Sequence, residues 1–556
     1  MAARQRKRSK VKLRIGLVFV LAALCLAPAH THAEGTLTRM GAISFPNSGA
    51  PLAQDSFIRG VLALHNFWFE EAEEAFKKAE GIDPAFTLAY WGEAMSYNHP
   101  LWAEQDMAAA RGALMRLGQT KAERQAKAKT EREQAYLEAV ETLYGEGDKL
   151  ERDRAYAKAM GRLAERFPAD DEAKVLYALS LLGTVRPGEK GFSRQMKSAA
   201  LLADVQQRNP NHPAAAHFTI HSFDDPEHAP LSLRAADLYS QIAPEAPHAL
   251  HMPTHIYIQL GMWDRVVASN EAAYGASVKW VERKGLSLAK RDFHSLEWGQ
   301  YGTLQLGQYA KARDMVPLAE AVAAQTGDAR ALSYAATMRA RYVVESRRWE
   351  DLPLPEAPSA AATAGARTTA VYGSRANQLV AAGLSAAHLG NHAKAEDAAQ
   401  RLLALAQIRK DAGSAYDAQP IEIMAAEVLG LSTFLKGDKQ AGLEQLAAAA
   451  QLEERLDPPN GPAYPIKPAH ELYAEALLEA GRGREAQLAF ETTLSRMPRR
   501  SLSLLGLARA ALASGDDETA AEAYGQLSST WATADPGREV DEVKGFRPAR
   551  RVTAQP

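Results

Sequence analysis

The chain has 556 residues, of which 46% are hydrophobic and 7% aromatic, and its 65 basic side chains nearly balance its 67 acidic ones. A nucleic-acid binder needs a strongly basic face to neutralise phosphates, so this balance argues against that class of protein. The single cysteine, Cys25, excludes a disulfide framework and a cysteine-ligated zinc site.

The amino-terminal segment, residues 1–33, predicts a secretory signal peptide. Seven basic side chains lie within residues 1–14, an apolar run follows from Ile15 to Ala27, and Ala27-Pro28-Ala29 offers a small-residue cleavage site, with Ala33 as a second option. The apolar run has about 13 residues, fewer than the roughly 20 that a membrane-spanning helix needs. We therefore expect cleavage of residues 1–33, a periplasmic or secreted protein, and no stable membrane insertion afterwards.

Residues 34–352 predict a first array of helical hairpins. The stretch FWFEEAEEAFKKAEGIDP from Phe67 carries small or aromatic residues at Ala72, Phe76 and Ala79, and it ends in a helix-terminating Asp-Pro pair. Similar stretches recur with a glycine in the turn and alanines where two helices must approach closely. Patterns typical of β-strands are scarce, so the predicted class is all-α.

The spacing of the turn residues is that of a repeat protein. Gly481 precedes Gly515, and Pro210 precedes Pro244, by the same interval of about 34 residues. The pattern resembles tetratricopeptide repeats over most of residues 55–530. This resemblance implies an α-solenoid in which the first helix of each hairpin lines a concave groove, a surface suited to a protein or peptide partner.

The rest of the chain predicts a division into two halves. Residues 353–369 are rich in proline and alanine and predict a linker. Residues 370–534 predict a second tetratricopeptide-like array. Residues 535–556, with three prolines, predict a flexible tail.

The histidines of the first array are concentrated and periodic. Seven of them fall within one short stretch: His212, His217, His221, His228, His248, His251 and His255. His217 precedes His251, and His221 precedes His255, by the same interval that separates the turn residues. In tetratricopeptide repeats, which this array resembles, these places face the groove.

Helical geometry places these side chains on a shared face without reference to any family. At about 100° per residue, His221 lies roughly 40° and Asp224 roughly 20° from His217 around their helix. In the next unit three histidines fall within an arc of roughly 60°: His248, His251 and His255. Pro253 lies near the opposite side of that helix, where it can kink the helix without occupying the histidine face. Two neighbouring helices thus direct imidazoles and one carboxylate into a common gap.

A third unit adds two candidates. When RDFHSLEWGQYGTLQLG is aligned by its turn, His294 matches the place of His248 and Glu297 that of His251. Imidazole with carboxylate suits a divalent ion such as Zn, Fe, Mn or Cu, and spacing alone does not choose among them. The predicted ligands are His217, His221, His251 and His255, with Asp224, His248, His294 and Glu297 as further members.

Four interpretations of this pattern remain open. The histidines can be hydrogen-bonded residues of the core or surface with no ligand role. They can act as polar contacts to a partner's carboxylate or aromatic groups, or hold a structural metal. They can also form the centre of a metal-dependent hydrolase or oxidoreductase that activates water or oxygen. HFTIH and HMPTH lack the glutamate of the H-E-x-x-H signature, so a metalloprotease is not predicted, and the sequence assigns no catalytic residue.

One further resemblance is more specific. AYWGEAMSYNHPLWAEQD, HFTIHSFDDPE and HALHMPTHIY together resemble a group of exported bacterial tetratricopeptide proteins. This resemblance implies the fold, export and a shared histidine-lined site, and it implies no reaction.

Overall fold

The structure is a computed structural model that describes residues 39–355 and 368–547, with side chains from residue 372 onward in the second range. The predicted signal peptide and most of the predicted linker lie outside the described residues. In the part of the chain that the structure describes, no helix is long and apolar enough to cross a membrane.

Helices follow one another through almost all of the described chain. The first array contains α1 (Gln54–His65), α2 (Phe69–Ile82), α3 (Thr87–Ser96), α4 (Met107–Leu117), α5 (Lys121–Lys127), α6 (Glu131–Leu143), α7 (Lys149–Arg166), α8 (Asp171–Leu182), α9 (Ser193–Arg208), α10 (Pro213–Ser222), α11 (Ala229–Ile242), α12 (Pro247–His251), α13 (Pro253–Gln259), α14 (Trp263–Lys284), α15 (Phe293–Gln305), α16 (Tyr309–Thr326) and α17 (Ala329–Ser346). The second contains α18 (Thr368–His388), α19 (His392–Asp411), α20 (Ala415–Leu435), α21 (Lys439–Glu453), α22 (Ala469–Glu479), α23 (Gly483–Arg496), α24 (Ser501–Ser514), α25 (Asp517–Thr530) and α26 (Arg538–Gly545). Strands β1 (Asn98–His99) and β2 (Glu104–Gln105) form a short antiparallel ladder, Asn98 opposite Gln105.

The helices pack as successive antiparallel pairs. Neighbours along the chain contact each other, as α10 does α11 and α23 does α24, and a first helix also contacts the first helix of the next pair, as α8 does α10 and α22 does α24. Glycines with positive φ, such as Gly481 (77°) and Gly515 (79°), make turns that a side chain would strain. The predicted all-α solenoid of helical hairpins is therefore confirmed.

Glycines inside the hairpins allow two helices to touch. A Cβ on Gly506 of α24 would lie 2.1 Å from the Phe490 ring of α23, and a Cβ on Gly92 of α3 would lie 2.2 Å from the Phe76 ring of α2. Both phenylalanines are fully buried. The same close contact of phenylalanine with glycine therefore recurs in both arrays.

We expect Gly506→Ala to destabilise the protein by about 1–3 kcal/mol, because the added methyl must displace a buried ring. Gly525→Ala in α25 is the matched control, since nothing lies within 4 Å of its Cβ position and alanine favours a helix by about 1 kcal/mol. Urea unfolding of both variants measures the difference. Equal stability of the two variants would contradict the packing described here.

Two large apolar cores follow the two arrays, and one residue of the second array belongs to the first core. The first runs from Met40 to Leu306 and also contains Ala463 of the second array, and the second runs from Ala340 to Val543. Arg500, fully buried, joins the arrays by donating to Glu345 Oε1 over 2.6 Å and to both oxygens of Glu471 over 2.7 and 3.0 Å. The contact between the arrays is therefore both apolar and ionic.

The end of the chain differs from the predicted flexible tail over the residues that are described. Pro536 and Gly537 precede α26, whose Val540 and Val543 are buried in the second core. Glu539 accepts hydrogen bonds from Arg347 at 2.7 and 2.6 Å. An amphipathic turn with a buried valine pair thus holds residues 538–545 against the array.

Glu427 is a buried carboxyl group without a partner. It lies in α20, is fully buried, and neither of its oxygens has a hydrogen-bond partner among the described residues. Burial, together with the nearby Glu453 carboxylate, raises its pKa well above 4.5. The folded protein therefore keeps a proton on this side chain that the unfolded chain releases.

We expect Glu427→Gln to stabilise the protein at pH 7 and to change little at pH 4. As the pH rises above about 4.5, only the unfolded chain ionises, so the wild type loses about 1.4 kcal/mol per pH unit until the pH reaches the raised pKa of the folded state. The variant lacks this loss. Unfolding curves from pH 4 to 8, with the exposed Glu444→Gln as control, measure it, and parallel profiles for all three proteins would contradict a raised pKa.

Candidate metal centre

The structure brings the six predicted histidines together in two groups. We call His217, His221 and His248 the first histidine set, and His251, His255 and His294 the second histidine set. Within each set the candidate ligand atoms all lie within 4.8 Å of one another. The side chains come from α10, α12, α13 and α15, the first helices of three successive hairpins.

Short contacts between ring nitrogens define each set. In the first set, His217 Nε2 lies 3.2 Å from His221 Nε2 and 3.2 Å from His248 Nε2. In the second set, His251 Nε2 lies 3.3 Å from His255 Nε2. The three close pairs therefore all meet through Nε2 atoms.

The helix that carries His251 and His255 is interrupted between them, and both side chains nevertheless stay on one face. Pro253 has no N–H to donate to the preceding turn, so α12 ends at His251 and α13 begins at the proline. Met252 between them keeps right-handed helical angles, with φ −54° and ψ −34°. His251 and His255 consequently stay one helical turn apart on one face.

Hydrogen bonds to Nδ1 fix the protons of the second set. His251 Nδ1 lies 2.7 Å from Asn270 Oδ1, and the amide nitrogen of Asn270 donates to Val266 O at 2.9 Å, which fixes the orientation of that amide. His255 Nδ1 lies 2.6 Å from Asp224 Oδ2. Both partner oxygens accept, so both Nδ1 atoms donate a proton.

The first set is anchored in the same manner. His217 Nδ1 lies 2.7 Å from the carbonyl oxygen of His65, and a carbonyl only accepts. Tyr239 stacks on the His217 ring with centroids 4.9 Å apart, and its hydroxyl donates to Asn66 Oδ1 at 2.8 Å. Metal-binding histidines commonly have such partners for the second ring nitrogen, which fix the tautomer and the ring orientation.

These protons leave lone pairs facing one another. A neutral imidazole with a proton on Nδ1 carries a lone pair on Nε2, and burial lowers the pKa of His251 to about 3, so this ring is neutral at pH 7. His251 and His255 thus need a positive charge, a metal ion or a proton, between their Nε2 atoms. In the first set two nitrogens converge on the one Nε2 lone pair of His217, which accepts only one linear hydrogen bond.

The distances fit a metal ion. Zinc-type ions bind histidine nitrogen at 2.0–2.1 Å, so neighbouring ligands of a tetrahedral ion lie about 3.3–3.4 Å apart. The three Nε2 pairs, at 3.2–3.3 Å, are close to this value. Burial lowers the pKa of every member of the first set, and of His294, well below 6.5, and neighbouring imidazoles lower it further. The rings are thereby held in the neutral form that binds metal.

An aromatic side chain lies over each set. Phe67 lies over the first set, with its centroid 4.4 Å from that of His217, and it has an unusual φ of 51°. Trp298 lies over the second set, with centroids 4.5 Å from His255 and 4.9 Å from His251. A Cβ on Gly461 would lie 2.4 Å from the Trp298 ring, so the second array packs directly behind this cover.

A third polar group lies behind the first set. His65 Nε2 is 2.6 Å and His212 Nε2 3.2 Å from opposite oxygens of Glu172, and all three side chains are buried. Burial alone would raise the pKa of Glu172, but the two imidazoles hold it below 4.5. Because the His65 carbonyl accepts from His217, this group fixes the position of an oxygen that orients the first set.

The two predicted carboxylates have other partners. Asp224 Oδ2 lies 2.6 Å from His255 Nδ1 and fixes the orientation of that ring, and its Oδ1 has no hydrogen-bond partner among the described residues. Glu297 pairs with the buried Arg341 of α17 and belongs to neither histidine set. In the structure the three members of each set are all imidazoles.

Several residues of the site were not predicted from the sequence. Trp298 follows His294 by one helical turn, which is a detectable signal. Asn270 lies in α14, the second helix of its hairpin. Phe67 lies in a turn and has a positive φ, a conformation that residue preferences do not predict at this position. The repeat interval identifies only places within first helices.

Comparisons with known proteins give no information about the function of the histidine sets. No family model matches the chain, and no curated protein matches it. Among solved structures it is similar to the APC/C hetero-tetramer Cut9–Hcn1, at 13% identity over 89% of this chain and 96% of that chain, with a TM-score of 0.24. Yeast Tom70 matches at 12% identity over 89% and 94%, with a TM-score of 0.28. Neither likeness bears on the site, and the observed helices and histidines alone define a helical-repeat protein with a histidine centre.

Proposed function

We propose that this protein is an exported tetratricopeptide-like scaffold that binds metal at its histidine centre and holds a protein or peptide partner in the groove beside it. The pairing of His251 Nε2 with His255 Nε2 carries the metal assignment, because both Nδ1 atoms already donate to fixed acceptors. Export rests on the signal-peptide pattern of residues 1–33. The proposal of a protein or peptide partner rests on the groove that tetratricopeptide-like hairpins form with their first helices.

The donor atoms narrow the choice of ion. Imidazole suits zinc, copper and iron, whereas manganese prefers carboxylate and water oxygens. Since Glu297 is engaged by Arg341, the side chains that converge on each ion position are imidazoles alone. Zinc, copper and iron are therefore favoured over manganese.

A metal-dependent enzyme is the second candidate. Structural zinc sites are closed by four protein ligands, whereas catalytic sites keep three and leave a position for water or substrate. Each set supplies three histidines, and His221, His248 and His294 are only half-buried. This arrangement favours a hydrolase or oxidoreductase whose substrate reaches the ion from the exposed side.

Elemental analysis of the purified mature protein tests the metal assignment. We expect at least one equivalent of a transition metal in the wild type and less in His251→Ala. His392→Ala is the control, because His392 is half-buried beside Ser432 in the second array. A wild type that stays empty after incubation with zinc, copper and iron would contradict the proposal.

We expect Asp224→Ala to weaken metal binding about 10–100-fold, because loss of this hydrogen-bond acceptor frees the tautomer and orientation of His255. Asp225→Ala is the matched control, since the adjacent Asp225 bonds His228 and no member of either set. Competition with a metal indicator measures both affinities. Equal affinities would show that Asp224 does not support a ligand.

A further inference from the structure

We propose that the centre binds two ions, one in each histidine set, and that monovalent copper is the ion this pair accommodates best. This inference rests on the proposed function, because it requires that the centre bind metal. It goes further by assigning the number of ions and the charge of each.

Rings that share a short Nε2 contact are closer to each other than rings of different sets are. Within the first set, the His217 centroid lies 4.9 Å from His221 and 5.0 Å from His248. Between the sets, His221 and His255 are 5.8 Å apart and His248 and His251 are 6.1 Å apart. The short contacts between Nε2 atoms likewise all fall within a set. The imidazoles therefore converge on two points.

Each set also has its own supports. The first is oriented through the His65 carbonyl and covered by Phe67. The second is oriented through Asn270 and Asp224 and covered by Trp298. Supports that differ between the two sets fit two separate ions better than one shared ion.

The charge of the surroundings favours a monovalent ion. Among the described residues, the one carboxylate hydrogen-bonded to a member of either set is Asp224. Two divalent ions would thus bring four positive charges to sets that have one hydrogen-bonded carboxylate between them. Coulomb repulsion scales with the product of the charges, so two monovalent ions repel each other about fourfold less at the same separation. Monovalent copper binds imidazole and accepts three ligands, which matches each set.

Anaerobic titration of metal-free protein with copper(I) against a competing chelator counts the ions. We expect two equivalents in the wild type, one in His221→Ala and one in His294→Ala. These two residues are half-buried and belong to different sets, so each substitution removes one ligand at low risk to folding. His392→Ala should keep two equivalents. A parallel titration with zinc should give one tightly bound equivalent.

The results of these titrations distinguish failure of the two-ion inference from failure of the proposed metal-binding function. One copper equivalent in the wild type, lost in both variants, would mean a single shared ion and overturn this inference while leaving the proposed function intact. Two zinc equivalents held as tightly as two of copper would overturn the preference for a monovalent ion. No binding of either metal would overturn this inference, and the proposed function would fall as well if iron also failed to bind.

Discussion

Stripping the metal with a chelator is expected to lower the free energy of unfolding by about 4 kcal/mol, relative to protein kept at a free metal concentration a thousand times its Kd. The candidate ligands come from α10, α12, α13 and α15, so an ion in either set would bridge two successive hairpins that the unfolded chain does not hold together. Its binding energy therefore adds to folding energy. Urea unfolding with and without chelator measures the change.

Variants show whether this stabilisation arises at the centre. His251→Ala should respond less to metal than the wild type, because it removes the ligand whose Nδ1 is held by Asn270. His392→Ala should respond as the wild type does. If chelation leaves the wild-type unfolding curve unchanged, the centre does not bind metal in the folded state.

The second large effect concerns the contact between the two arrays. We expect Arg500→Ala to destabilise the protein by about 3–5 kcal/mol, the cost of leaving buried charges without their partner. Arg500 is fully buried and bonds Glu345 of α17 and Glu471 of α22. Burial would raise the pKa of Glu471, but Arg500, with Lys467, holds it below 4.5. Without the guanidinium, the two carboxylates must ionise unfavourably or take up protons.

Urea unfolding at pH 7 tests this expectation. Arg484→Ala is the control, because Arg484 is exposed in α23 and should change the stability by less than about 0.5 kcal/mol. The Arg500 variant should also recover part of its loss at lower pH, where the carboxylates accept protons more readily. A loss no larger than that of the control would contradict a buried ionic contact between the arrays.

The sequence predicts those features of the molecule that recur with the repeat interval. The repeat interval was enough to predict the all-α hairpin fold and to select His217 with His251 and His221 with His255. The structure places these four side chains in adjoining sets, with the second pair of rings 5.8 Å apart. Periodicity can do this because repeated places in successive first helices face the same side.

The sequence could not separate one set from two, because a helical arc gives a direction and not a distance of a few ångströms. It also selected Glu297 by register, while the side chain pairs with Arg341 from the following hairpin. Asn270 approaches His251 from a second helix, and Arg500 reaches Glu345 from a distant part of the chain. Such contacts depend on how hairpins stack, which a local pattern does not contain.

Anomalous diffraction from crystals of the copper-loaded protein, recorded at the copper absorption edge, tests the central claim most directly. The account predicts one peak about 2.0–2.2 Å from His217 Nε2 and a second at the same distance from His251 Nε2. A crystal without an anomalous peak at either nitrogen, with the Nε2 atoms bonded only to water or to one another through a proton, would contradict it.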